Sequence, residues 1–310
     1  MLSTPTPPFP TRTMPDDHTD TFEQHRDRLQ ALAYRMLSQV QAAEDLVQDA
    51  YLRWRSANPE TVDDPAAYLT TTVTRLCLDE LSSARSERET YTGPWLPEPV
   101  VEPMDRPDHT TEQSDAVSFA LLVMLDTLPP RQRAVFVLRE AFDTPYARIA
   151  DIVGENEAYC RKLAQRAREQ IDEADMHTDV SAETQAELVE DFVAAIQSGD
   201  AETVAQTLAE DAVVKSDGGG KVTAARRPVE SREHITRFLL GIAEQAPENL
   251  EPHFVRVNGR PGLLATVDGD PQSVWFFHVR NGKIQNAYSV LNPEKLHHVD
   301  PPHGVSVPQH

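Results

Sequence analysis

The chain is poor in cysteine, in bases and in long apolar runs, and each shortage removes a class of protein. Cys77 and Cys160 are its only cysteines among 310 residues, too few for a disulfide framework. Both fall on apolar helix faces and read as buried thiols in a reducing cytoplasm. No apolar run approaches the roughly 20 residues of a membrane span. Residues 1–20 are polar and proline-rich without an apolar centre, which argues against a signal peptide and for a disordered tail. Bases number 29 against 50 acids, a formal net charge of -21. The shortage is general: 22–90 has 8 bases and 12 acids, 119–175 has 8 and 10, and 176–310 has 11 and 19. A polyanion is repelled by such a molecule as a whole, so tight binding to one would need a partner that supplies most of the phosphate contacts.

One stretch reverses that sign. Residues 148–169, RIADIVGENEAYCRKLAQRARE, read as a short helix, a turn at Gly154 and a second helix. In the second helix Cys160, Leu163, Ala164, Ala167 and Ile171 recur three or four apart and face inward. Arg161, Lys162, Gln165, Arg166 and Arg168 take the other faces, and the ten residues 159–168 hold four positive charges and no acid. Lys and Arg contact phosphates while Arg and Gln read base edges, so this is a helix-turn-helix candidate. The plain alternative is a surface helix with a solvated basic face.

The chain divides into three blocks. The first, 21–90, is helical throughout, with stripes at Leu29–Leu32–Met36, Leu46–Val47–Ala50–Tyr51–Trp54 and Leu69–Val73–Leu76–Cys77. A linker at 91–118 follows, with five prolines, one base (Arg106) and six acids, which reads as a stiff acidic connector. Trp95 and Leu96 are out of place in it and read as a docking point on another surface, or else as packing against the first block. The second block, 119–175, is again helical and carries the helix-turn-helix. In the third, 181–296, helices capped by Ser181 and Ser231 and strand-like runs at 212–216, 221–225, 252–257, 263–267, 274–280 and 284–291 alternate, with a hairpin signal at Asn281-Gly282. Helices first and a meander of strands last imply an α+β domain. Residues 297–310 read as a second disordered tail.

Several motifs in series resemble a known family. AEDLVQDAYLRW (43–54), DDPAAYLTTTVTRLCLDELSSAR (63–85) and LDTLPPRQRAVFVLREAFDTPYARIADIVG (125–154) with the following helix resemble the two conserved regions of extracytoplasmic-function sigma factors of the sigma-70 family. WLPEP (95–99), DGGGK (217–221) and NPEKL (292–296) resemble the motifs of a subgroup with a fused C-terminal SnoaL-like domain. The implied fold is mainly α, two helical sigma domains of which the second has the helix-turn-helix, plus an α+β, cone-shaped SnoaL-like domain. The implied function is to bind core RNA polymerase and direct promoter-specific initiation in the cytoplasm, with the C-terminal domain regulating in cis.

The resemblance also distributes roles. Asp45, Gln48, Asp49 and Arg53 would face the clamp helices of the polymerase β′ subunit. Arg75, Arg85 and Arg88 would hold the phosphates of the melted −10 strand, and the basic face from Arg161 to Arg168 would read the −35 element. Trp95, Leu96 and Pro97 would dock against Asp217, Gly218, Gly219, Gly220 and Lys221, with Asn292 and Pro293. Two rivals remain. An ordinary helix-turn-helix repressor with a sensor domain would leave the 43–54 helix without a role. A SnoaL-like enzyme would need a dyad, and the available groups, His234, His253, Asp268 and His278, have no spacing that singles one out. No cofactor or metal-ligand pattern is visible, while a small-molecule ligand in the C-terminal domain stays open.

Overall fold

A computed structural model describes residues 17–57, 62–83, 90–104, 117–171 and 180–300. The first block folds as α1 (Asp17–Leu37), α2 (Val40–Ser56) and α3 (Pro65–Ser83). Helix α1 begins inside the stretch expected to be a tail. Proline opens α3 at its first position, where no N–H is needed, and Asp64 Oδ1 accepts from Ala67 N at 3.0 Å. The second block comprises α4 (Phe119–Leu125), α5 (Pro130–Glu140), α6 (Tyr146–Val153) and α7 (Glu157–Gln170).

These blocks do not have separate cores. Leu32, Met36 and Trp54 of the first belong to one continuous apolar cluster with Leu125, Phe136, Ile149 and Leu163 of the second. Polar contacts close the seam. Arg133 donates to Met36 O at 2.8 Å and pairs with Asp126 at 2.7 Å, with both side chains largely buried. Arg28 and Arg35 of α1 clasp the Phe142 ring, 5.4 and 5.6 Å from its centroid.

The third block contains α8 (Ala182–Ser198), α9 (Ala201–Thr207) and α10 (Arg232–Glu244) beside a curved sheet. Its strands are β2 (Leu208–Asp217), β3 (Val229–Glu230), β4 (Leu250–Val257), β5 (Arg260–Val267), β6 (Asp270–Arg280) and β7 (Lys283–Val290). β4 to β7 form the expected antiparallel meander, and β2 pairs parallel with β7. Asn281 and Gly282 both have positive φ, as a two-residue hairpin of this hand requires, and so do Asn258-Gly259 and Asp268-Gly269. Two expectations change locally. Residues 221–225 form no strand, because Lys221 and Val222 turn back to Gly218 O. Ser231 makes no capping bond; its hydroxyl meets His234 Nδ1 instead.

The largest departure is the linker. Residues 91–104 pack as structure rather than stand in solvent. Val101–Pro103 forms β1, which joins the sheet edge antiparallel to β4, so the sheet runs β1-β4-β5-β6-β7-β2-β3. Period-2 alternation then sends β6 to two cores: Phe277 goes to the helices α8–α10, while Val274 and Phe276 meet Leu96, Phe119 and Ala120 on the opposite face. Val299 is buried in that second core, so the chain stays packed beyond 296. Among the described residues no helix is long and apolar enough to cross a membrane.

Candidate promoter and polymerase interface

Helix α2 turns Ala43, Val47, Ala50 and Trp54 inward, which leaves Asp45, Gln48, Asp49 and Arg53 exposed together on the opposite side. Leu52 stands among them, three and four residues from Asp49 and Gln48, and is 50% exposed. Sequence reading missed it. Its signal was an apolar residue falling on the polar phase of an otherwise regular helix.

On α3, Val73, Leu76 and Cys77 are buried and Arg75 is exposed, with its guanidinium turned onto a neighbouring helix. Its guanidinium donates to Asp151 O at 3.0 Å and Ile152 O at 3.3 Å, carbonyls in the last turn of α6. A cation is favoured there by the helix dipole. Arg148 of α6 returns a bond to Thr71 Oγ1 at 3.2 Å. The first helix of the helix-turn-helix is therefore clipped onto α3. Arg85 and Arg88 lie outside the described residues.

Gly154 ends α6 in the left-handed region at φ 71, and Asn156 Oδ1 caps α7 from Tyr159 N at 2.9 Å. That turn brings the inward set, Cys160 to Ile171, into the shared core and leaves Arg161, Lys162, Gln165, Arg166 and Arg168 exposed. Arg161 lies 4.5 Å over the Tyr146 ring and pairs with Glu157 at 2.9 Å, and Arg168 pairs with Glu140 at 2.5 Å. Gln165 Nε2 donates to Glu169 Oε1. Such exposed pairs are worth only about 0–1 kcal/mol, so a phosphate or a base edge can replace them at little cost.

The linker motif meets both glycine-rich and C-terminal motifs at one carboxylate. Asp217, fully buried, accepts from Tyr91 Oη (2.5 Å) and Gly219 N (3.0 Å) on Oδ1, and from Leu96 N (2.8 Å) and Lys295 Nζ (2.8 Å) on Oδ2. Lys295 also donates to Leu96 O and lies 3.3 Å from the Trp95 ring centroid. Burial pulls its ammonium below the ordinary lysine range, opposed first by Asp217. Burial and the Asp217 carboxylate together hold the Tyr91 hydroxyl well above the ordinary tyrosine range.

The remaining members of the three motifs fall around this pair. Leu96 and Pro97 are buried. Gly218 admits no side chain, since a Cβ would lie 2.8 Å from Ala224 and from Val222 O, and at Gly219 (φ +59) it would strike Asn292. Gly220 borders Thr92, and Lys221 pairs on the surface with Glu294 at 2.8 Å. Asn292 Nδ2 donates to Tyr91 Oη at 3.0 Å, whereas Pro293 is exposed. The sequence reading passed over Tyr91 and Lys295.

Each of the four residues weighed as an enzymatic dyad meets a different partner among the described contacts. His234 meets Ser231 and Glu230 O, His253 meets Thr266 at 2.8 Å, His278 meets Asn286 at 3.4 Å, and Asp268 accepts from Asn249.

Comparison with known proteins agrees with this arrangement over most of its length. The family model Sigma-70 region 2 matches residues 21–87, and that of Sigma-70, region 4 matches 118–171. The ECF RNA polymerase sigma factor SigJ of Mycobacterium tuberculosis (strain ATCC 25618 / H37Rv) is 38% identical over 288 residues, covering 89% of this chain and 92% of the relative. The probable ECF RNA polymerase sigma factor SigI of Mycobacterium tuberculosis (strain CDC 1551 / Oshkosh) is 32% identical over 279 residues, covering 88% and 92%. The crystal structure of SigJ matches with a TM-score of 0.74 at 36% identity, over 90% of this chain and 98% of that one. Both relatives align well past the second helical block, so the similarity includes the C-terminal α+β unit. The chain belongs to the extracytoplasmic-function RNA polymerase sigma factors.

Proposed function

We propose that this sigma factor is held closed by its own C-terminal domain, which governs when promoter DNA is engaged. The observation that carries the reading is the Asp217–Lys295 pair, which takes both backbone groups of Leu96 and so ties the linker to the C-terminal unit. In the closed form α3 and α6 touch through Arg75. The −10 and −35 elements, however, lie about 25 base pairs apart by their names, roughly 85 Å at 3.4 Å per base pair. Helices in contact cannot serve both, so the shared core has to open for promoter binding. Opening frees Arg75 for the −10 strand, joined by Arg85 and Arg88, and lets Arg161, Lys162, Gln165, Arg166 and Arg168 reach the −35 major groove. Asp45, Gln48, Asp49 and Arg53 present the polymerase surface, an acidic face suited to a basic partner. These are cytoplasmic events, where polymerase and promoter are found.

Run-off transcription with core enzyme tests the regulation. A Lys295→Met chain should change transcript yield several-fold against the unaltered chain at equal protein. Equal yields would sink regulation in cis. Co-elution with core polymerase separates this reading from that of a repressor, which would not co-elute.

A small ligand of the C-terminal unit is a second reading of what opens the latch. Phe254, Leu263 and Trp275 stand in register across β4, β5 and β6, half-buried beside the helices, and form an apolar row that a small apolar molecule would cover. Thermal shifts of the full chain with small apolar ketones would support it, and no shift with any of them would count against it.

A further inference from the structure

The turn between α1 and α2 is two residues, Ser38 and Gln39, and is badly supplied with local caps. Ser38 takes a left-handed φ of 59, and Gln39, the N-cap residue of α2, makes no side-chain cap bond. The first turn of α2 contains no acid. A helix of 17 residues thus begins with orphan N–H groups and an uncompensated dipole end.

The missing group arrives from 58 residues away. Glu98 of the WLPEP motif places Oε2 2.7 Å from Val40 N, the first amide of α2. Its backbone is pinned on both sides, with its N–H donating to Ser38 O at 2.9 Å and its carbonyl accepting from Tyr34 Oη at 2.7 Å. Tyr34 in turn accepts from Asn258 Nδ2 at 3.0 Å, in the β4–β5 turn of the C-terminal unit. Two residues before Glu98, the N–H and C=O of Leu96 are taken by Asp217 and Lys295. One short strip of linker therefore has one end in the C-terminal domain and the other on the amino end of α2.

We infer that Glu98 is a positioning residue for the polymerase-facing helix, capping α2 from the linker so that docking of the linker on the C-terminal domain orders the first turn of that helix. The inference rests on reading the exposed face of α2 as the polymerase surface. It differs from a plain anchoring role, in which Glu98 would hold the linker and α2 would be indifferent to the group that caps it.

The test uses the full chain. Glu98→Ala should speed hydrogen exchange of the Val40, Ala43 and Glu44 amides about five-fold and weaken binding to core RNA polymerase by a similar factor, the usual loss for a helix cap. Gln39→Asp, added to Glu98→Ala, supplies a cap from the ordinary position and should restore both to within about two-fold. If Glu98→Ala does not fold, Glu98→Gln, which keeps shape and one acceptor but loses the charge, is measured with and without Gln39→Asp in the same way. Unchanged exchange, or restored exchange without restored polymerase affinity, overturns the inference. Asp49→Arg keeps the two failures apart. If it leaves polymerase affinity unchanged, the surface reading of α2 is wrong. If it weakens binding while loss of the cap does not, only the role of Glu98 is wrong.

Discussion

Replacing Asp217 by Asn strikes the latch where most bonds converge. The buried carboxylate takes two donors on each oxygen, from Tyr91 and Gly219 on one and from Leu96 and Lys295 on the other. An amide keeps one acceptor oxygen and turns the other into a donor, so two of the four partners would face an N–H. Lys295, only 4% exposed, would lose its nearest compensating charge. Removing one member of a buried pair costs about 3–5 kcal/mol. At 1.4 kcal/mol per tenfold, the docked linker should open about a hundred to several thousand times more often. Exchange of the Leu96 amide reads this directly, because that N–H donates to Asp217. Trp95 fluorescence is a second probe, since the Lys295 ammonium lies against its ring. Lys295→Met should open the linker to a similar extent, and the double variant should lose clearly less than the two single losses added, because neither charge is then left alone. Leu96 protection within about three-fold of the unaltered chain would refute the reasoning, and so would single losses that simply add.

Leu52→Asp should leave helix content unchanged, since that side chain is half in solvent, yet cost about 2 kcal/mol or more of core-polymerase binding if it is the apolar anchor of the α2 face. Titration of core enzyme with both chains decides it, and equal affinities would remove Leu52 from the interface. Arg161→Ala should abolish promoter-dependent transcription while polymerase binding persists, a loss of about 1–3 kcal/mol per base contact; equal footprints on a −35 element would defeat it. Alkaline pH should loosen the fold. Burial holds the Tyr34 hydroxyl well above its ordinary value, so the folded chain keeps a proton that the unfolded chain gives up above about pH 10. Its contribution is complete below that pH and falls by about 1.4 kcal/mol per pH unit above it. Denaturant midpoints between pH 8 and 11 should decline less steeply for Tyr34→Phe, and parallel curves would contradict the assignment.

The helix-turn-helix was legible because its signals are short-range. The inward set from Cys160 to Ile171, the left-handed Gly154, the Ser181 cap and the Asn281-Gly282 hairpin each depend on neighbours within about four residues. The linker was misjudged for the opposite reason. Its prolines and acids describe a solvated connector when only neighbours are counted; motif resemblance did place Leu96 against Asp217, 121 residues later, but nothing local showed that Glu98 caps a helix 58 residues earlier. A charge that reads as solvating in sequence becomes a cap once a helix end with free N–H groups is brought beside it. Lys295 was passed over likewise, since a lysine is seldom buried without a partner and its partner stands 78 residues away. The continuous apolar run Val274–Trp275–Phe276–Phe277 did contain a hint of a sheet covered on both faces, which a one-sided α+β domain would not need.

The sequence by itself determined most of the elements, the order of the blocks, the basic face of the second helix of the helix-turn-helix and, through motif resemblance, the family. Periodicity, caps and turn residues act over a few positions and survive translation into a string. Only the tertiary structure decided that the two helical blocks share one core, that Arg75 is spent on α6, and that the linker is a strand with a helix cap at its side. Those outcomes depend on which desolvated donors and acceptors meet across the chain, and a buried carboxylate with four donors is stable only where all four arrive together.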